Sequence, residues 1–372
     1  MADDPIPDWR LLAPHRPLSP GDDAYVARPT SGGDAIAQWV EAGGSTVLVS
    51  GPTGVGKSTE LAQAAQVLQP TRVACLVQAD RATNIHRLTA EGLTRIVVKR
   101  LVLFALDPLH LPLSEALRSA ATSVGEDGEV HPMSLSFRMS GTDRAGIAVE
   151  EIARVSPQGR VALLIDGLEK LLPGPHARDI FEALSRLPDS VDLIVVIPWH
   201  AAFGGGTEPI LRAGERLHRV APLDTDGATG LAAAEFLGRV LAGRLRSIHT
   251  LPESLKPLLG LAFKASGGIP RVFLQLMADA GTYARVKRGA AWPDDSDLHE
   301  AMVDQQDSFR RALLLGDTQA IKAVEGTDGR ELDLERRVRL MAQGILLERV
   351  RNGTVVLEVH PLAAPALLHS RP

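Results

Sequence analysis

Uninterrupted apolar runs at 46–50, 72–77, 161–165 and 193–197 predict strands buried on both faces. Between them, apolar residues return at helical spacing over 57–68, 84–106, 144–155 and 176–187. In 84–106 the residues Leu88, Leu93, Val97, Leu101 and Phe104 fall on one side, which predicts a single long amphipathic helix. Buried strands alternating with helices make a parallel sheet covered on both faces, so the fold class is α/β. The stretch 134–139 alternates like a half-buried strand in a setting of Gly and Pro.

After residue 223 the strand pattern stops. Helical periodicity fills 226–245, 252–265, 270–288 and 296–315, then shorter stretches at 318–325 and 331–343. Two alternating runs, 345–351 and 354–360, flank Asn352-Gly353, a dipeptide suited to the positive φ angles of a type I′ hairpin turn. Helices closed by a hairpin describe a winged helix. At the other end, Pro5, Pro7, Pro14, Pro17 and Pro20 lie among acidic residues and predict an extended tail, with Trp9, Leu11 and Leu12 as its only docking side chains. The expected organisation is therefore a tail (1–23), an α/β domain (24–223), an all-α lid (224–295) and a winged helix (296–372). No internal repeat is present.

Composition changes this picture little. A chain of 372 residues is longer than one core usually covers, and 45% hydrophobic with 23% charged residues is ordinary for a globular protein. The net charge of -5 offers no general attraction to nucleic acid or to an anionic membrane. Cys75, the sole cysteine, sits in an apolar run and reads as a small core residue, so disulfides and cysteine-based zinc sites within the chain are excluded. The first residues lack a basic start and an apolar core for a secretory signal, and no apolar run approaches the ~18 residues that cross a bilayer. A cytoplasmic protein without membrane association is expected.

The sharpest chemistry lies at residues 51–58. Gly51-Pro52-Thr53-Gly54-Val55-Gly56-Lys57-Ser58 fits G-x-x-x-x-G-K-[ST], preceded by the strand 46–50 and followed by a helix that Thr59 continues. Such a loop turns successive backbone amides toward anionic oxygens. Lys57 would place a cation on the β- and γ-phosphates, and Ser58 a hydroxyl on Mg²⁺, with the helix N-terminus adding its dipole. The bland alternative is a glycine-rich turn without ligand. A strand at 161–165 ends in Asp166, suited to organise the metal through water; alternatively Asp166 caps the next helix. Many such enzymes carry a Glu directly after this Asp to orient the attacking water, and here Gly167 takes that place. Glu169 is the nearest substitute, or else a solvated residue beside Lys170, so slow turnover is expected. His200, just past the strand 193–197, is either a γ-phosphate sensor or a surface histidine.

Taken together, the segments GPTGVGKSTEL (51–61), LLIDGLEKL (163–171) and GGIPR (267–271) resemble AAA+ and STAND ATPases, including the AAA-like ATPases of bacterial conflict systems. Tyr25-Val26-Ala27-Arg28-Pro29 is similar to the family's hydrophobic-Gly-Arg segment beside the adenine, with Ala27 replacing Gly. The resemblance implies ATP/ADP with Mg²⁺ as cofactors, Arg28 near the adenine, Pro270 where the lid returns to the nucleotide, and Arg271 placed like a sensor-2 arginine. It further implies an ATP/ADP switch that self-associates, with Arg212, Arg216 and Arg219 as candidates to reach a neighbour's γ-phosphate. Family members usually carry sensor repeats and an effector domain. Neither is found among these 372 residues, so a separate sensor or effector chain is expected.

DNA binding through the winged helix would need a basic face. Between 331 and 351, five arginines (Arg336, Arg337, Arg339, Arg349, Arg351) face four carboxylates (Glu331, Asp333, Glu335, Glu348), leaving +1. A structural or protein-contacting winged helix is therefore favoured over one that binds DNA. Three readings stay open: a nucleotide-gated switch in signalling or anti-phage defence, an AAA+ initiator or regulator on DNA, and a scaffold that holds nucleotide without turnover.

Overall fold

All four apolar runs become adjacent parallel strands in the computed structural model, which describes residues 7–12, 18–29, 32–115, 117–118, 141–204, 215–245, 251–351 and 354–368. The chain divides into two units: a sheet unit (32–50 and 57–219) and a helical unit (1–31, 51–56 and 220–372). In the sheet unit, β1 (Thr46–Ser50), β2 (Val73–Gln78), β3 (Val161–Asp166), β4 (Val191–Val196) and β5 (Glu215–Arg219) lie in the order β2-β3-β4-β1-β5. Every residue of β1, β3 and β4 is buried, as continuous Val/Leu/Ile runs between two helical layers require. The sequence pattern does not predict β5. It occupies an edge; among the described residues it pairs with β1 alone and contributes Leu217 to the core, so its other side chains can be polar.

Helices α1 (Gly32–Glu41), α2 (Lys57–Leu68), α3 (Ala79–Ala82), α4 (Ala90–Leu106), α5 (Gly141–Val155), α6 (Pro175–Ser185) and α7 (Trp199–Gly204) complete this unit. The single helix expected over 84–106 is broken. A 3-10 turn at Ile85–Arg87 precedes Thr89, whose hydroxyl accepts from the Gly92 amide at 3.0 Å and so starts α4 afresh. Leu93, Val97 and Leu101 then pack with Val149 and Ile152 of α5 and with Ile180 and Phe181 of α6 in one core. Cys75 lies buried in β2, and burial pushes its thiol up to about 12, in keeping with a core residue. The strand expected at 134–139 lies outside the described residues.

The helical unit contains α8 (Gly227–Leu245), α9 (Lys256–Ala265), α10 (Pro270–Arg288), α11 (Asp295–Ala312), α12 (Asp317–Val324), α13 (Leu334–Ala342), the strands β6 (Leu346–Arg351) and β7 (Thr354–Val359), and α14 (Ala364–Leu368). Helix α11 opens with a capping box in which Asp294 and Asp297 satisfy each other's backbone amides. Strands β6 and β7 pair antiparallel from Leu346↔Val359 to Arg351↔Thr354; Asn352 and Gly353 between them lie outside the described residues.

One expectation fails clearly. Within the predicted tail, Trp9–Leu12 forms a 3-10 turn with Trp9 and Leu12 buried. The Trp9 ring meets Trp292 edge-on, with centroids 5.6 Å apart, and lies where a Cβ on Gly281 would stand 2.0 Å from it. Glycine at 281 opens a slot in α10 that the indole fills. The proline spacing carried no sign of this, because the receiving surface is contributed by residues far downstream in the chain.

Candidate functional site

Strand order assembles the candidate site in the sheet unit. Because β4 lies between β1 and β3, the carboxyl ends of these three strands are neighbours. Helix α2 starts at Lys57, which is buried, and Ser58 follows. Asp166 closes β3 at 5% exposure, and its carboxylate accepts hydrogen bonds from the Ser58 hydroxyl and from the Gly167 amide, the latter at 2.9 Å. Burial raises the Asp166 carboxyl above its ordinary pKa, while the Ser58 hydrogen bond pulls the other way. Asp166 therefore bonds to the serine predicted to share its metal.

Glu169 sits on a 3-10 turn, Leu168–Lys170, directly after Gly167. It is not the solvated residue of the bland alternative. Its Oε2 is buried with no hydrogen-bond partner, and desolvation lifts its pKa against the pull of the Lys57 ammonium. Lys170, the neighbour expected to accompany Glu169, instead binds Asp80 Oδ2 at 2.5 Å. Asp80 also acts electrostatically on both Asp166 and Glu169. Two carboxylates, Asp166 and Glu169, thus act on Lys57, and a third, Asp80, acts on both of them.

Sequence reasoning did not single out Asp80. Gln78, two residues earlier, is the register partner of Asp166 across β2 and β3, so the chain leaving β2 emerges beside the end of β3. That signal becomes visible only once the strand order is known.

His200 is the second residue of α7, beyond the end of β4 and so between the ends of β1 and β3 in strand order. It is half-buried, and burial lowers its pKa. Of the three arginine candidates, Arg216 and Arg219 lie on the edge strand β5, where Arg216 stacks over the Trp39 ring at 5.0 Å. Arg212 lies outside the described residues.

Residues 51–56 belong with the helical unit, and several of the expected partners meet them there. Gly51, Gly54 and Gly56 take positive φ angles of 154°, 83° and 107°, the backbone that turns amides inward around an anion. Thr53 is exposed, while Pro52 and Val55 are buried. The Arg271 amide donates to the Gly54 carbonyl at 3.2 Å, and a Cβ on Gly54 would come within 2.4 Å of the Arg271 Cβ. Helix α10, begun by Pro270, thus sets its first turn against the loop, and only glycine fits at 54. Arg28 donates from Nη1 to the Val55 carbonyl (3.3 Å) and from Nη2 to the Ala221 carbonyl (2.6 Å). Through these two backbone carbonyls it braces the loop.

Arginines of the C-terminal hairpin are also engaged. Arg349, 6% exposed, donates to the carbonyls of Leu223 (3.0 Å) and Gly267 (2.7 Å), and its Nε lies 2.9 Å from Glu358 as a close ion contact. Arg351 binds Glu358, Asp224 and Asp226. Arg336 and Arg339 both face the buried Asp317, at 3.5 and 2.6 Å.

No protein-family model matches the chain, and no curated protein does. Among solved structures it is similar to the Walker-type ATPase PABY2304 of Pyrococcus abyssi, with TM-score 0.54 and 14% identity over 96% of this chain and 99% of that one. It is also similar to the Aeropyrum pernix ORC1 protein in complex with DNA (TM-score 0.47, 16% identity, 96% and 95% covered). A third match is a point variant of Thermotoga maritima RuvB (TM-score 0.47, 12% identity, 97% and 100% covered). At such identities the likeness is one of fold: this chain has the α/β fold of P-loop NTPases, with a five-stranded parallel sheet.

Proposed function

We propose that the chain binds ATP or ADP with Mg²⁺ and works as a slowly hydrolysing nucleotide-dependent switch. The observation that carries this reading is the hydrogen bond from Ser58 to Asp166 beside buried Lys57, at the carboxyl end of a parallel sheet. Lys57 would hold the β- and γ-phosphates, with the amides of 51–59 around them.

The residues fit a hard cation. Buried carboxylates with raised pKa, one oxygen of Glu169 lacking any hydrogen-bond partner, need positive charge nearby. Ser58 and Asp166 would hold Mg²⁺, Asp166 through water. An ion of this kind takes few protein ligands and completes its shell with water and phosphate. When bound, the ion neutralises charge on the transferring phosphoryl group.

Switching is supported by the contact between the first turn of α10 and Gly54, because whatever fills the loop acts on the helix bearing Arg271. Arg271 would report the phosphates, Arg28 would steady the loop beside the adenine, and His200 would sense the γ-phosphate. The Asp-Gly-Leu-Glu form of 166–169 supports the STAND type, and with it a role in signalling or anti-phage defence through self-association or a partner chain. We read 296–372 as a winged helix that contacts protein.

Titration calorimetry with ATP and ADP tests the reading. Lys57→Ala should weaken binding by about 10- to 100-fold, the worth of charge-assisted hydrogen bonds to phosphate. Undetectable affinity of the unaltered protein for any nucleoside di- or triphosphate would overturn it.

A further inference from the structure

Gly167 occupies the position that would hold a water-orienting glutamate, and the structure shows what stands in its place. Gly167 has φ 91° and ψ -5°, and an ideal Cβ there would lie 2.6 Å from Asp80 Oδ1 and 2.8 Å from the Asp80 backbone nitrogen. No side chain can leave position 167 without displacing Asp80. The space a residue at 167 would use is filled by a carboxylate from another element, the short helix α3 that follows β2. Lys170 fixes it through Oδ2 at 2.5 Å, which leaves Oδ1 directed to the Gly167 side.

We propose that Asp80, held by Lys170, supplies the carboxylate that orients and deprotonates the attacking water, and that Gly167 is glycine to admit it. The inference rests on the nucleotide-binding reading above. It also assigns Glu169 a different place: with Oε2 buried and unpartnered beside Asp166, Glu169 serves the cation's surroundings. In the step, the water oxygen bonds to the γ-phosphorus, and the bond from phosphorus to the β–γ bridging oxygen breaks, its electron pair leaving on ADP. One water proton passes to the Asp80 carboxylate and then to solvent; the other stays on the phosphate product.

Steady-state ATPase assays and calorimetry on the full chain test this. Asp80→Asn should lower kcat by at least about tenfold, within the range of acid–base catalysis, with nucleotide affinity and KM within about threefold of the unaltered protein. Lys170→Met, a change at a half-exposed side chain that leaves the fold intact, should lower kcat about threefold or more, and Lys170→Arg should restore it. Asp80→Asn or Lys170→Met turning over at the normal rate would refute the assignment while leaving nucleotide binding standing. So would nucleotide binding without any turnover in the unaltered protein, or an Asp80→Asn defect confined to KM. Absence of nucleotide affinity in the unaltered protein would instead sink the underlying reading, and this inference with it.

Discussion

Replacing Arg349 with Met tests whether the hairpin is tied to the segment that meets the phosphate loop. The guanidinium is 6% exposed and bonds the carbonyls of Leu223 and Gly267. Hydrogen bonds from a charged donor contribute roughly 1.5–3 kcal/mol each, so their sum is about 3–6 kcal/mol. Two effects reduce it. Burial already disfavours the charged arginine, lowering its pKa, and an apolar side chain of similar length escapes that cost. Glu358 is not stranded, because Arg351 also binds it. The net loss should be about 2–4 kcal/mol, read as a shift of the urea midpoint followed by helical circular dichroism. A second readout follows the chain onward. The Leu223 amide donates to the Gly268 carbonyl at 2.9 Å, and the Arg271 amide, three residues on, donates to Gly54. Loosening Arg349 should therefore weaken nucleotide binding several-fold as well. A loss below about 0.5 kcal/mol, typical of ordinary surface substitutions, would refute the argument.

Two further substitutions probe the same unit. Trp9→Ala should cost about 3–5 kcal/mol, and Gly281→Ala, which drives a methyl into the Trp9 ring, about 1–3 kcal/mol, both measurable by urea titration; a loss near zero for Trp9→Ala would return residues 9–12 to the status of a tail. His360 is fully buried with a pKa lowered from 6.5 to about 4 by burial, aided by the Arg349 charge and opposed by the Ser266 carbonyl, and Phe309 stacks on it at 4.8 Å. The unfolded chain then binds the proton first, so stability should fall by about 3 kcal/mol as pH drops from 6.5 to 4. His360→Gln should flatten that slope; an unchanged pH profile would contradict the assignment.

Sequence alone was enough wherever one segment carries its own signal. The runs 46–50 and 161–165 are continuous because both faces of their strands are covered, and the glycine-rich motif at 51–58 can be read because it is local, fitting eight consecutive positions. What stayed hidden depends on neighbours set by topology. β5 is polar because it is an edge, and Trp9 looks like tail residue until Gly281 opposes it. Asp80 gained meaning only beside Gly167, 87 positions away, once β2 and β3 are paired in register. The sequence does announce a vacancy, a glycine where an acid is expected, without saying what fills it.

The same dependence decides how charge should be counted. From residue totals, 331–351 offers five arginines against four carboxylates, and a backbone-contacting wing could still be drawn from Arg349 and Arg351. In the folded unit those two bind Glu358, Asp224, Asp226 and two carbonyls, while Arg336 and Arg339 share Asp317. These arginines already have internal partners, and a phosphate would have to displace them. Duplex DNA should accordingly bind no tighter than micromolar near physiological salt, as measured by fluorescence anisotropy across a salt series. Tighter binding with a steep salt slope would show that other residues make the contact, and would restore the initiator reading over the protein-contacting one.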